Sequence, residues 1–297
     1  MSSPGGTHKA KAPASSWQRS SLFLFTGAGL LLLGMLAGFY LFFPAEALKQ
    51  RITQELLTRT GTEVQIRQVS LYPLLSLDTD QVKIDLPQLP RPLEIEQLSL
   101  SPLWSTLLSS NPGVQLQAEL MSGILTGEIL KSGRISAMAT GLRFDLPLQK
   151  PMAMNITGTL NQANLEAATR LDPETKTVIS LQLSDLRISG LDIFKADSPG
   201  IAFGETTLEV DGQGRAMKIK TLSARGGDLD VKGDGTLLIG RTSATSRIKL
   251  ELQVRPGPNA DPSIASLLEL AGKQGPEGFY SLTVSGTLAK PILKSGG

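Results

Sequence analysis

An uninterrupted apolar run near the N-terminus constrains this chain more than any other feature. Ser21 to Phe43 contains 23 residues with no charge and no proline. About 20 apolar residues suffice to cross a bilayer as a helix, so the run predicts one transmembrane helix at residues 21–43. Trp17 precedes the run and aromatic residues crowd its C-terminal end, which is typical of membrane interfaces. The remainder of the chain must then lie on one side of the membrane or the other.

Charge around the run predicts its orientation. Residues 1–20 carry three basic residues and no acidic one. The positive-inside rule therefore places this tail in the cytoplasm and everything after Phe43 on the opposite side. A cleaved signal peptide is the alternative, because Ala45-Glu46-Ala47 fits a small-x-small cleavage site. Signal peptides usually have apolar cores of roughly 7–15 residues, so the longer run favours an uncleaved anchor.

The segments that flank the span add two expectations. Residues 1–20 are small, polar and rich in proline and glycine, which predicts a disordered cytoplasmic tail. Gly34 and Gly38 form a G-x-x-x-G pair, which would let two membrane helices approach closely and form a homodimer. Glycine is common in membrane helices in any case, so a monomeric span is the alternative.

A second helix is predicted directly after the span, at residues 44–61. Leu48, Ile52 and Leu56 follow the i, i+4, i+8 spacing of an amphipathic helix. Pro44 suits the first helical turn and Gly61 suits a C-terminal cap. We expect a juxtamembrane helix that either lies on the membrane or covers one end of the domain that follows.

From Thr62 to the C-terminus the apolar period changes from 3.6 to 2, which predicts antiparallel strands with one apolar face. This pattern therefore predicts that residues 62–297 form an all-β domain of roughly fifteen strands with few short helices. The runs predicted as strands after residue 120 are Ile124–Ile129, Ile135–Phe144, Met152–Leu160, Asn164–Arg170, Val178–Leu183, Leu186–Leu191, Thr206–Val210, Met217–Leu222, Leu229–Ile239, Arg247–Val254 and Phe279–Leu288.

Three local predictions interrupt this pattern. Asp78-Thr79-Asp80 is interpreted as a turn. Residues 102–108 are predicted as a short helix or turn that packs Trp104 inward. Asp261 as N-cap, Pro262 at the first position and Gly272 at the end predict one late helix. We also expect the sheet to be curled and its edges to be covered or paired, because bare edges aggregate.

Composition excludes several classes of function. The chain has 29 basic and 27 acidic residues, and three of the basic ones lie in the tail, which leaves 26 against 27 in the remainder. That balance argues against nucleic-acid binding, which needs clustered uncompensated Lys and Arg. The absence of cysteine excludes disulfides and thiol catalysis.

The sequence offers no catalytic, cofactor or metal-binding residues. The single histidine, His8, lies in the tail, and no recognised nucleophile, phosphate-binding or metalloprotease motif occurs. Asp78 and Asp80 could ligate a cation only with further ligands at fixed spacing, which are missing. A carboxylate pair brought together by the fold cannot be identified from sequence. The interpretation is therefore a protein that is not an enzyme.

The order of elements resembles that of AsmA-like proteins. The motifs that carry this resemblance are the helix ending Leu56 to Gly61, the runs Val64–Leu71 and Leu93–Pro102, the segment Leu222–Leu237 with its Gly226-Gly227-Asp228, and the closing Phe279–Pro291. Size and the C-terminal ending are most similar to the type II secretion system protein N (GspN) family, in its AsmA-like branch.

The resemblance implies a single-pass inner-membrane protein whose periplasmic domain is a long curled antiparallel sheet, an AsmA-like groove or half-barrel. It implies a structural role in the type II protein secretion system, with other secretion components as partners. The alternative that it implies is a lipid-binding or lipid-transfer protein of the cell envelope with phospholipid as its ligand. Alternation predicts one apolar face but leaves open whether lipid or protein covers it.

Overall fold

The structure is a computed structural model that describes residues 45–60, 63–72, 75–86, 89–149, 153–190, 200–258, 260–271 and 274–295. The predicted tail, the predicted span Ser21–Phe43 and the pair Gly34 and Gly38 lie outside these residues. Within the described ranges, no helix is long and apolar enough to cross a membrane.

Fourteen strands form one antiparallel sheet in which each strand pairs with the next along the chain. This confirms the predicted all-β, antiparallel architecture. The sheet is open, because β1 and β14 each have a strand partner on one side only. The strands are β1 Glu63–Tyr72, β2 Ser76–Asp85, β3 Leu93–Pro102, β4 Gly113–Leu120, β5 Gly123–Leu130, β6 Arg134–Leu148, β7 Met154–Ala168, β8 Lys176–Ser189, β9 Ile201–Gln213, β10 Ala216–Arg225, β11 Leu229–Leu238, β12 Arg247–Pro256, β13 Tyr280–Thr287 and β14 Lys290–Ser295.

The up-and-down order gives the sheet two distinct ends. The near end is where β1 begins at Glu63, and the far end is where β1 finishes at Tyr72. Connections at the near end are residues 61–62, 86–92, 121–122, 149–153, 190–200, 226–228 and 257–279. Connections at the far end are residues 73–75, 103–112, 131–133, 169–175, 214–215, 239–246 and 288–289.

Among the described residues, three short α-helices accompany the sheet: α1 Ala45–Thr60, α2 Trp104–Leu107 and α3 Pro262–Ala271. Helix α1 occupies the segment where the apolar spacing predicts one, and it contacts the edge strand β1. The Lys49 ammonium donates a hydrogen bond to the backbone carbonyl of Arg67 in β1, at 3.2 Å. The side chains of Leu48, Ile52 and Leu56, on which the amphipathic prediction rests, lie outside the described part of the chain.

Helix α3 begins as predicted. The Asp261 carboxylate accepts hydrogen bonds from the Ser263 backbone N–H at 2.8 Å and from the Ser263 hydroxyl at 2.6 Å. These bonds lower the pKa of the Asp261 carboxyl below its ordinary value, because they stabilise its charged form. The capping prediction for Asp261 is confirmed.

Four predicted strands merge into two. Met152–Leu160 and Asn164–Arg170 are one strand, β7, and Val178–Leu183 and Leu186–Leu191 are one strand, β8. The polar residues between the predicted pairs suggested turns, but both neighbouring strands continue to pair across them. Asp185 adopts a positive φ of 54° and forms a bulge that β8 tolerates.

Asp78-Thr79-Asp80 lies within β2, so its interpretation as a turn is wrong. Its residues pair with both β1 and β3. The Asp78 carboxylate accepts a hydrogen bond from the Ser99 hydroxyl at 2.6 Å, and Thr79 is buried. Acidic residues are thus tolerated in a strand whose partners supply hydrogen bonds.

The last strand, β14, was not predicted. All six of its residues are exposed, so the expectation of covered edges is wrong at this side of the sheet. Lys290, Pro291 and Lys294 lie along this edge. Lysine and proline are residues that protect open edges from pairing with another chain.

The buried core is shallow and divided into three clusters. One lies across β1 and β2, around Val64, Ile66, Val69 and Val82. The second lies across β9 and β10, around Val210, Met217 and Ile219. The third lies beneath α3 at the near end. No large described side chain is less than 2% exposed, as expected for a sheet that no second full layer covers.

Candidate functional site

The two faces of the sheet differ completely in charge. Among the described strand residues, every Asp, Glu, Lys and Arg lies on one face, here called the polar face, or in a bulge. The other face, here called the apolar face, carries aliphatic and aromatic residues, methionine, glycine and a few hydroxyl side chains. One row across it is Ile179, Val210, Ile219, Gly235, Leu250 and Val284. The adjacent row on the polar face is Val178, Asp211, Lys218, Thr236, Lys249 and Ser285.

Bulges keep the apolar face continuous along the long strands. In β6 the inward residues Ala139 and Leu142 are separated by two residues rather than one, and Gly141 has a φ of 71° there. In β8 the inward residues Leu183 and Leu186 are likewise separated by two residues. Each bulge shifts the period by one residue, so the apolar side chains return to the same face beyond it.

The middle of the apolar face remains accessible. We call the inward residues of β5 to β8 the central apolar strip. Its large side chains are half-buried rather than buried, apart from Ile129, which is exposed. The described helices contact β1, β4, β12 and β13. The strip comprises Leu125, Ile129, Ile135, Leu142, Phe144, Leu146, Leu148, Met154, Ile156, Leu160, Leu165, Ile179, Leu181, Leu183, Leu186 and Ile188, with the smaller residues between them.

At the near end, helix α3 covers part of the apolar face. Ile264 and Leu268 are buried against Val254, Tyr280 and Leu282. Helix α3 therefore closes the apolar face beneath β12 and β13 at this end.

At the far end, the apolar face opens into a cavity of about 600 Å³ beside the strip. Its lining is almost wholly apolar and includes Leu75, Leu107, Val114 and Ile129, each 41–47% exposed. Trp104, in the adjacent helix α2, is 50% exposed, so the prediction that it packs inward is wrong. A four-residue helix at the sheet end has too little surface to bury an indole.

The polar face is divided by charge. Strands β1 to β5 carry eight acidic and two basic residues. Strands β10 to β14 carry nine basic and three acidic residues. Several of these charges pair locally, such as Arg255 with Asp230 at 2.8 Å and Lys83 with Glu94 at 2.6 Å. The Lys249 pKa is raised by its hydrogen bond to Glu251 and by the Glu251 charge.

The described residues offer no candidate metal centre. They contain no group of three or more His, Cys, Asp or Glu side chains placed to hold a metal ion. No model of a known protein family, no curated protein and no solved structure matches this chain. The candidate functional site is therefore the apolar face, whose alternation was visible in the sequence but whose continuity over fourteen strands was not.

Proposed function

We propose that the β domain binds the apolar chains of a membrane lipid along the central apolar strip. The protein would be held at the inner membrane by the predicted span Ser21–Phe43. The observation that carries this proposal is an apolar face that continues across all fourteen strands, carries no charged strand residue outside bulges, and is accessible along the central apolar strip. The proposed role is binding or carriage, without a catalytic step.

Physical chemistry favours an apolar chain as the occupant. Covering about 300 Å² of apolar surface would contribute roughly 7 kcal/mol, before the cost of ordering the ligand. Strands β6 to β8 contain 14–15 residues, so the strip is roughly 45–50 Å long, which suits an elongated occupant. A lipid headgroup would be excluded from the strip and would lie beyond its open far end, because polar groups lose hydration in apolar surroundings.

Photocrosslinking at neighbouring positions tests the proposal. Leu181 lies on the strip and Gln182, the next residue in β8, lies on the polar face. A benzoylphenylalanine at either position, in the full chain in its cell envelope, samples what covers that face. We expect mass spectrometry to find lipid adducts at Leu181 and not at Gln182. Protein adducts at Leu181, or equal lipid adducts at both positions, would contradict the proposal.

A second candidate role is a structural part of the type II secretion system. The sequence resemblance to the GspN family supports it, and so does the exposed edge of β14, where a partner strand could add to the sheet. Secretion of folded proteins by a deletion strain distinguishes the two. Lost secretion, with a protein rather than a lipid crosslinked at Leu181, favours the secretion role. Normal secretion with lipid adducts favours lipid binding.

A further inference from the structure

The far and near ends of the sheet carry opposite charge. Each end is defined here as the described residues of its connections, together with the strand residue that flanks each connection on either side. The far end has eight basic and two acidic residues, all of them exposed, and the near end has two basic and six acidic residues. The far-end charges are Lys131, Arg134, Arg170, Lys176, Arg215, Arg241, Arg247 and Lys290, with Asp172 and Glu174. The near-end charges are Arg91 and Arg225, with Glu63, Asp85, Asp228, Asp261, Glu269 and Glu277.

The positive charge of the far end is mostly unpaired. Within the described part of the chain, one of its eight basic residues forms an ion pair, Arg134 with Glu166 at 3.6 Å, and both partners are well exposed. The others point into solvent around the rim. Such a row of exposed cations along the far ends of β5 to β14 attracts an anionic surface and needs no single fixed partner geometry.

Exposed apolar side chains collect at the same end. By the same definition, seven of the sixteen exposed large apolar residues in the described part of the chain lie at the far end. One, Leu267, lies at the near end. Leu108 is fully exposed, and Trp104 and Leu107 beside it are about half exposed. The other four exposed apolar residues at the far end are Tyr72, Leu75, Leu238 and Leu288.

The projecting segment is held in place by its own hydrogen bonds. The Thr106 hydroxyl donates to the Leu103 carbonyl at 2.8 Å and accepts from the Gly113 backbone N–H at 3.0 Å. The Leu103 backbone N–H donates to the Gly113 carbonyl at 2.9 Å. The indole of Trp104 and the Leu108 side chain are therefore presented to solvent by a fixed turn.

A second basic feature adjoins this end on the polar face. A basin of about 1220 Å³ crosses β8 to β14 and is lined by Lys176, Lys218, Arg247, Lys249 and Lys294, with one acidic residue, Asp211. Asp211 pairs with Lys220, and Lys249 pairs with Glu251. Hydroxyl groups of Thr236, Ser285 and Thr287 lie between the cations. The basin therefore adds net positive charge beside the far end, although its lining also includes apolar residues such as Met217, Leu237 and Ile248.

We infer that the far end docks on the surface of an anionic lipid bilayer. Trp104, Leu107 and Leu108 enter the interface between headgroups and acyl chains, where indole and leucine side chains are favourably placed. The basic residues at the far ends of β5 to β14 contact anionic headgroups. A bilayer fits better than an acidic protein, because exposed apolar side chains and mostly unpaired cations share one end of the sheet without a fixed pairing pattern. The inference does not depend on lipid binding in the strip.

Attachment of the full chain to vesicles tests this docking. The chain is reconstituted into nanodiscs of neutral phosphatidylcholine, so that residues 21–43 have a bilayer of their own. Acceptor vesicles are phosphatidylcholine alone or with about 30% phosphatidylglycerol, and flotation measures attachment. We expect attachment to anionic vesicles at least about tenfold above neutral ones, and its loss when salt screens the charges.

Matched variants locate the contact. Replacing Trp104, Leu107 and Leu108 together by serine should abolish attachment. Serine at Leu57, Ile124 and Leu267, which are 38–49% exposed and lie away from the far end, should leave it unchanged. Glutamate at Lys131, Arg241 and Lys290 should likewise abolish attachment, and glutamate at Lys83, Arg143 and Arg225 should not. Circular dichroism checks that each variant retains the β fold.

Three outcomes would overturn the inference. The first is equal attachment to neutral and anionic vesicles. The second is attachment that the far-end variants leave intact. The third is binding to immobilised polyglutamate without attachment to any vesicle, which would point to an acidic protein partner.

Discussion

Gly158 in β7 faces the ring of Phe144 in β6 on the apolar face, and the two residues are direct cross-strand partners. A Cβ atom on Gly158 would lie 2.9 Å from Phe144 Cζ and 3.3 Å from Leu186 Cα. The missing side chain thus leaves the space that the Phe144 ring occupies. Gly158 begins a Gly-Thr-Leu sequence that also occurs at Gly235 and Gly286, and at Gly158 the glycine admits a large neighbour.

Gly158→Ala should therefore destabilise the domain by roughly 1–2 kcal/mol, because the added methyl group overpacks this contact. Gly127→Ala is the matched control on the same face. A Cβ there would meet its nearest neighbours at 3.4 Å and 3.8 Å, which is ordinary contact. We expect the control to be neutral within about 0.5 kcal/mol in urea unfolding. Equal losses in both variants would contradict this packing.

Leu268→Ala should reduce the free energy of unfolding by roughly 2–3 kcal/mol, because Leu268 is buried under α3 against the sheet. Leu267, its neighbour in the same helix, is 38% exposed. Leu267→Ala should change stability by less than about 0.5 kcal/mol. Urea unfolding followed by circular dichroism makes the comparison, and a similar cost for both would show that α3 does not close the near end as described.

The cap at Asp261 predicts a pH dependence. Its pKa is lowered in the folded state, so its stabilising contribution is present above the unfolded value of about 3.9 and is lost as the pH falls through the lower folded value. Asp261→Asn retains a capping oxygen and removes the titration. We expect the wild-type advantage in Tm over this variant to shrink as the pH falls below about 4. Other carboxylates titrate in both proteins and cancel in the difference, so a constant difference would contradict the prediction.

Replacing Lys290 and Lys294 together by valine should promote aggregation. These lysines lie on the exposed edge strand β14, where charge hinders pairing with another chain. Lys176→Val with Lys218→Val removes the same charge from strands β8 and β10, which are paired on both sides. Size-exclusion chromatography and light scattering should show larger species for the edge variant alone. Equal aggregation of both would assign the effect to lost charge rather than to the edge.

The sequence by itself determined the class of fold. Alternation such as Val114, Leu116, Ala118 and Leu120 between polar residues fixes a strand and its apolar side, because successive side chains point to opposite faces. The signals for α1 and for the Asp261 cap are also local, and the structure has helices at both places. Local chemistry of this kind needs no knowledge of distant residues.

Tertiary structure decided where strands continue and what each end of the sheet presents. Asp78 and the connection at Asp185 were predicted as turns, yet Asp78 pairs with strands on both sides in β2. Asp185 forms a bulge in β8, because the residues that flank it pair with both neighbouring strands. The sequence predicts that Trp104 packs inward, but its side chain is 50% exposed, because the four-residue helix α2 has too little surface to bury an indole. The eight basic residues at the far end are scattered between Lys131 and Lys290 in sequence, and only the up-and-down order of strands brings them to one rim. The burial of a side chain and its distance from other residues depend on which distant segments of the chain pair. The apolar period and the local propensity of the sequence do not contain that information.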